Sequence, residues 1–257
     1  VTNIQAFIVN WEPVYQNVLV LEDQLLEQGC NPTVINSGQS TRDHWVSVGD
    51  IRYYRQLYKA LQLFNPENDY FLFCTGDISY DNWTSLFTRA RQVLSKHSPG
   101  VYAPLCMNSA WNYEQTHVAD LEGSSGISVA TQTDGIFAIL DRDVAGVMLG
   151  FFEYVEQRVN LPEFTTGWGV DNMWCSVSMC MGRHVLRDLE HTITHPAGSS
   201  YDHSRAWYEM NTLLDHFARY ARSVGYEDAG QYVEKIFKRK NGHAETFETG
   251  HFYKGLP

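Results

Sequence analysis

The run Tyr70-Phe71-Leu72-Phe73-Cys74 restricts the fold more than any other part of the chain, and it stops abruptly at Thr75-Gly76-Asp77. A strand apolar at every position has to be covered on both faces, which is the situation of a central parallel strand. The residues before it fit that architecture. Ile4 to Val9 is a short apolar run ending at Asn10-Trp11-Glu12-Pro13, and Val14, Val18, Leu21 and Leu25 then recur at helical spacing until Gly29. Thr33 to Ile35 reads as a second strand closed by the polar turn Asn36-Ser37-Gly38-Gln39-Ser40. Tyr54, Leu57, Tyr58, Leu61 and Phe64 lie on one face of a second helix. The order β-α-β-(loop)-α-β implies an α/β fold with a mostly parallel sheet flanked by helices. In such sheets ligands collect beyond the C-terminal ends of the strands, and the three ends here are all polar.

The second half changes character. Val101 to Cys106 and Gly135 to Leu140 read as strands, separated by a polar stretch from Asn108 to Thr131 that reads as a long loop. Asp171 to Gly182 is helical, with Met173, Trp174, Val177 and Met181 facing inward. A strand near His184 to Arg187 follows, then His191 to His195, then Pro196-Ala197-Gly198-Ser199-Ser200-Tyr201. Two further amphipathic helices are expected at 204–222 and 228–239, ahead of a tail without periodicity.

Bulk properties narrow the function. Net charge is -11, and the short basic run from Lys235 to Lys240 reads as a solvated helix end, so no nucleic-acid partner is expected. No apolar stretch of about eighteen residues is present, and no transmembrane segment or signal peptide is expected. The first residue is Val, which leaves open a processed chain or a piece of a longer protein with a neighbouring domain. Cys30, Cys74, Cys106, Cys175 and Cys180 form no CxxC pair and read as buried thiols of a cytoplasmic protein. Phosphate-loop, dinucleotide and nucleophile-elbow signatures do not occur.

Three places carry chemistry. Asp77 follows a buried strand, and Gly76 before it gives the backbone freedom to approach a ligand closely. A carboxylate there suits Mg²⁺ or Mn²⁺ against a diphosphate. The structural alternative is a turn residue, with Asp81 capping a helix that starts at Asn82. Gly167-Trp168-Gly169-Val170-Asp171 sets an acid beside an aromatic platform. The ring can cover a pyranose while Asp171 deprotonates a hydroxyl; the alternative is that Asp171 caps the helix and Trp168 packs. His195 could be a further ligand for Mn²⁺, although a lone histidine is more often structural. His191 and His195 have HxxxH spacing, but Thr192-Ile193-Thr194 between them favours a strand over a helical zinc pair.

Taken in order, Thr75-Gly76-Asp77 with Asn82-Trp83, Thr133-Asp134-Gly135-Ile136-Phe137, Gly167-Trp168-Gly169-Val170-Asp171, and His195 with Gly198-Ser199-Ser200-Tyr201 resemble family-2-like GT-A glycosyltransferases, including bacterial and viral polysaccharide and rhamnosyl transferases. The resemblance runs from about residue 4 to residue 205. It implies a Rossmann-like GT-A domain at 1–203, with a nucleotide half at about 1–107 and an acceptor half at about 108–203. Residues 204–257 would be a C-terminal helical extension and tail. By the resemblance, Asp77 binds metal (Mn²⁺ or Mg²⁺) and donor diphosphate, His195 completes the metal shell, and Asp171 is the general base. Asp134 and Trp168 would contact donor sugar or acceptor, and Val9, Asn10, Ser37, Arg55 and Gly76 would border the nucleotide. Thr75 stands where many members have a first aspartate, and Val170 where many have a glutamate. The implied partners are a UDP, GDP or dTDP sugar and a glycan acceptor, and the implied reaction is an inverting, metal-dependent transfer. Two rivals stay open. One is a metal-dependent phosphoester or nucleotide hydrolase using Asp77, His191, His195 and His203. The other is a GT-A-like module that binds carbohydrate without catalysis.

Overall fold

The computed structural model describes residues 2–49, 53–109, 113–158, 166–196, 203–226 and 228. The helix expected at 228–239 (beyond residue 228), the basic run and the Gly198-Ser199-Ser200-Tyr201 segment lie outside the described residues. A nine-stranded sheet runs through the middle in the order β3-β2-β1-β4-β8-β5-β9-β7-β6. Its strands are β1 (Ile4–Asn10), β2 (Thr33–Asn36), β3 (Val46–Ser47), β4 (Tyr70–Thr75), β5 (Val101–Cys106), β6 (His117–Asp120), β7 (Ile127–Ala130), β8 (Phe137–Asp141) and β9 (Val185–Ile193). The helices are α1 (Tyr15–Glu27), α2 (Tyr53–Leu63), α3 (Trp83–His97), α4 (Tyr113–Thr116), α5 (Arg142–Arg158), α6 (Val170–Cys180) and α7 (His203–Ser223).

The first three long strands pair in parallel, Asn10 opposite Asn36 and Val9 opposite Thr75, as a βαβ winding requires. Strand β8 then enters antiparallel between β4 and β5, so the sheet is mixed. The stretch at 108–131 is not one loop. It holds α4, β6 and β7, and β6–β7 is an antiparallel pair at the sheet edge. Their short, half-polar sequences carry little periodic signal, and pairing with β9 is what makes β7 a buried strand. Residues 185–193 are one strand rather than two. Helix α5 has no counterpart among the expected elements.

Period-2 alternation decides which face each strand residue serves. Phe7, Val9, Phe71 and Phe73 point into a cluster with α2, α5, α6 and α7. Ile4, Ala6, Ile8, Leu72 and Cys74 point into a second cluster with α1 and α3. The inner residues of α7, Leu213, Leu214, Phe217 and Ala221, belong to the first cluster, so this helix closes the main core. All five cysteines are free thiols; Cys30, Cys74 and Cys175 are buried, whereas Cys106 and Cys180 are only half-buried. Among the described residues no helix is long and apolar enough to cross a membrane.

Glu22 on α1 fixes the segment after β2. Its buried carboxylate accepts hydrogen bonds from the Trp45 indole at 3.0 Å and from Arg42 at 3.1 Å, and lies 2.8 Å from His44 Nε2. Glu22→Ala would leave the buried Trp45 N–H without its acceptor. A loss of about 1–3 kcal/mol is expected in urea unfolding, and a change below about 0.5 kcal/mol would show that the staple is idle.

Candidate active site

The C-terminal ends of β1 and β2 meet in a polar knot. The Asn10 amide donates to Asn36 Oδ1 at 2.6 Å, while the Asn10 carbonyl accepts from the Ser37 amide, the Ser37 hydroxyl and Gln56. Glu12 accepts from the Gln39 and Ser40 amides and the Ser40 hydroxyl, which hold its pKa below the usual carboxylate range. These bonds shape the rim of the cleft. They also fix where several residues expected at the nucleotide lie. Val9 puts its side chain in the core, and Asn10 and Ser37 are engaged in tying strand ends together. Arg55 pairs with Glu156 on α5 at 3.4 Å.

Gly76 is needed for a close approach within the protein itself. A Cβ there would sit 2.4 Å from Val18 Cγ2 and 2.6 Å from the Val9 carbonyl, so the glycine lets β4 end tightly against β1 and α1. The Asn17 side chain donates to the Gly76 and Ile78 carbonyls at 2.6 and 2.8 Å and clamps the turn. Helix α3 is capped by Asn82 itself, whose side chain accepts from the Ser85 amide, and not by Asp81.

Asp77 and His195 come together, Nε2 to Oδ2, at 3.3 Å. They are 118 positions apart in sequence (195 minus 77) and belong to strands separated by β8 and β5. A β-bulge makes the meeting possible. Strand β9 advances from Asp188 to Thr192 while β5 advances only from Pro104 to Leu105, so Leu189, Glu190 and His191 loop out. Bulges bend a strand and re-aim the residues beyond them. The end of β9 then turns toward β4, where Ser79 and Thr194 exchange backbone hydrogen bonds at 2.9 and 3.0 Å. The Asn108 side chain donates to the His195 carbonyl at 2.8 Å, and the next residue, Ser109, donates to Asp134 at 2.7 Å. The turn after β5 therefore couples His195 to Asp134.

The electrostatics arise from this packing. The bond to Asp77 raises the His195 pKa above its ordinary value against the opposing effect of burial, and the Asp77 and Asp134 charges add to it. Burial pushes the Asp77 carboxyl up, but the His195 hydrogen bond, the neighbouring Thr75 hydroxyl and the His195 charge bring it to a net value below the ordinary one. Asp77 Oδ1 and His195 Nδ1 are buried and have no hydrogen-bond partner. A buried acceptor and ring nitrogen left in that state are costly unless a ligand completes them.

Asp171 stands at the second position of α6, behind an N-cap formed by Gly169 at φ 93°. Asp171 is therefore not the cap, and one carboxylate oxygen faces the Asn172 amide at 3.0 Å. Tyr53, which the sequence did not single out, joins the two acid-bearing turns. Its hydroxyl donates to the Gly135 carbonyl at 2.8 Å, and its ring fills the space beside Gly167, where a Cβ would come within 2.2 Å. A Cβ on Gly135 would lie 3.8 Å from that of Asp171, so the Asp134–Gly135 turn and the start of α6 are neighbours. Trp168 is half-buried and sits edge-on to Trp207 at 5.6 Å. His191 is not beside Asp77; it is buried between Asp188 and Ser85. Among the described residues no group of three or more His, Cys, Asp and Glu is arranged to hold a metal. The His203 side chain lies outside the described residues.

The sheet covered by helices on both faces has the GT-A fold, and solved structures carry the same fold. The structure of GalNAc-T7 with UDP, GalNAc and Mn²⁺ aligns with a TM-score of 0.53 at 10% identity, over 94% of this chain and 55% of that one. Residues 1–349 of S. aureus TarS align with a TM-score of 0.50 at 11% identity, over 96% of this chain and 75% of that one. At this identity the likeness is one of fold, and the chain spans about half the length of the GalNAc-T7 chain, 55%. No sequence family and no curated protein matches the chain.

The geometry sets two expected outcomes. A raised imidazole stabilises the fold below the ordinary histidine range and loses that contribution as pH rises through the raised value. A depressed carboxyl loses its contribution as pH falls through the depressed value. The melting-temperature difference between the metal-free protein and Asp77→Asn should therefore be largest between about pH 4 and 6.5; a flat difference would contradict the ion pair. Gly167→Ala forces an L-residue to φ 73° against the Tyr53 ring, and chemical denaturation should show a loss of about 2–4 kcal/mol.

Proposed function

We propose that this protein is a glycosyltransferase that moves a sugar from a UDP, GDP or dTDP sugar to a glycan hydroxyl, with inversion at the anomeric carbon. The observation that carries the reading is the Asp77–His195 pair at the end of β4, with its two buried, unpartnered atoms, on a GT-A fold. One carboxylate and one imidazole fit a Mn²⁺ or Mg²⁺ ion that takes its other ligands from a diphosphate. When bound, that ion would offset the charge of the departing nucleoside diphosphate. The structure of GalNAc-T7 with UDP, GalNAc and Mn²⁺ supports this donor class and ion by fold analogy.

Asp171 takes the proton of the acceptor hydroxyl, a role supported by its Cβ lying 3.8 Å from where a Cβ on Gly135, next to Asp134, would stand. Asp134, held by Ser109, orients hydroxyls of the donor sugar or acceptor. Trp168 offers its ring to a pyranose. Residues 1–203 form the catalytic unit, with a nucleotide half to about 107, and 204–257 an extension whose first helix closes the core. A neighbouring domain in a longer chain fits the partial span of GalNAc-T7. The free thiols suit a cytoplasmic setting.

A thermal-shift screen of UDP, GDP and dTDP with and without Mn²⁺ tests the donor site. One nucleotide should stabilise the protein only with Mn²⁺, and Asp77→Ala should abolish the shift. Asp171→Asn should keep that shift yet lower kcat by about 10²–10⁴. Retention of configuration, or full activity in Asp171→Asn, would remove the base assignment. Phosphate release without acceptor would favour the hydrolase, and binding without turnover the non-catalytic module.

A further inference from the structure

The bulge of β9 holds a second arrangement that sugar transfer does not use. Ser85 on the first turn of α3 is exposed, and its hydroxyl lies 2.9 Å from His191 Nε2. His191 is buried, and its Nδ1 lies 2.8 Å from Oδ2 of Asp188, which is fully buried. A carboxylate only accepts hydrogen bonds. With a neutral ring, Nδ1 therefore carries the proton and donates to Asp188, Nε2 is bare, and Ser85 must donate to it. These are the roles that nucleophile, base and orienting acid take in acyl transfer.

The surroundings support the arrangement. Asp188 also accepts from the Tyr102 hydroxyl at 2.6 Å and the Glu190 amide at 2.9 Å, and Arg89 pairs with both Asp188 and Glu190. Tyr80 packs edge-on to the imidazole at 6.1 Å. Ser85 stands in the first turn of α3, where the helix dipole favours a developing oxyanion, and its own amide is held by the Asn82 side chain. Asp81, Asn82, Thr84 and Thr88 around it are exposed and polar, so the acyl group that fits is small.

We propose that Ser85, His191 and Asp188 form a serine-nucleophile site that hydrolyses carboxylic esters with short acyl groups, independently of the sugar-transfer reading. Ser85 Oγ attacks the ester carbonyl as its proton passes to His191 Nε2. The C–O bond to the alcohol breaks, and the alcohol leaves with that proton. Water then attacks the acyl-serine, giving a proton to His191; the bond to Ser85 Oγ breaks and the proton returns to Ser85. Ester and water become acid and alcohol, and no other reactant is consumed. Asp188 is a positioning residue that fixes the tautomer of His191.

The test uses the whole chain with 4-nitrophenyl acetate and a fluorophosphonate label mapped by mass spectrometry. The label is expected on Ser85, and Ser85→Ala, at an exposed site, should keep the melting temperature while losing about 100-fold or more of the hydrolysis. His191→Ala should lose labelling and regain it with added imidazole. Asp188→Asn should move the pH midpoint of labelling, which a purely structural Asp188 would not do. A label absent from Ser85, or hydrolysis by Ser85→Ala at the wild-type rate, overturns the proposal.

Discussion

The contact between Asp77 and His195 is the interaction on which the candidate site depends, because each residue alone is an ordinary strand end. Their strands are not neighbours: β8 and β5 lie between them. The looped-out residues of β9 bend its end across that gap, and the Ser79–Thr194 pairing fixes the bend with two backbone bonds. Asn17 holds the Asp77 turn from one side and Asn108 holds His195 from the other. The approach that raises one pKa and lowers the other is thus set by backbone geometry.

Asp188 gives this bend its internal support. Its carboxylate accepts from the amide of Glu190 inside the bulge and from Tyr102 on β5, so a buried charge is satisfied by hydrogen bonds and by Arg89. A buried carboxylate stripped of these partners would cost more than the bulge could return. The same atom orients His191 toward Ser85, so one buried acid shapes the strand and creates the nucleophile arrangement.

The acid-bearing turns are joined by exclusion of volume. Tyr53 occupies the room left by two glycines, Gly135 and Gly167, and bonds to the first. Asp134 and Asp171 are thereby held on adjacent segments although they come from a strand entrance and a helix start. Positive φ at Gly167 and Gly169 lets the chain make that turn with Trp168 directed at Trp207.

Much of this was legible in the residues. The apolar run at 70–74 and the helical spacing at 14–25 and 54–64 determine an α/β winding, and the turns at strand and helix ends mark Asp77 and Asp171, because period and turn chemistry are local properties; Asp134 came from the family resemblance. The β6–β7 edge pair, the antiparallel entry of β8 and the single β9 were not legible, since each depends on pairing between distant segments. Val9, Asn10, Ser37 and Gly76 were expected to border the nucleotide, and the structure adds that they also tie the frame together. Sequence by itself determined the winding and the inventory of acids. Only the tertiary structure decided that His195 reaches Asp77, that Tyr53 couples two turns and that His191 faces Ser85, because a bulge changes side-chain direction without leaving a periodic trace.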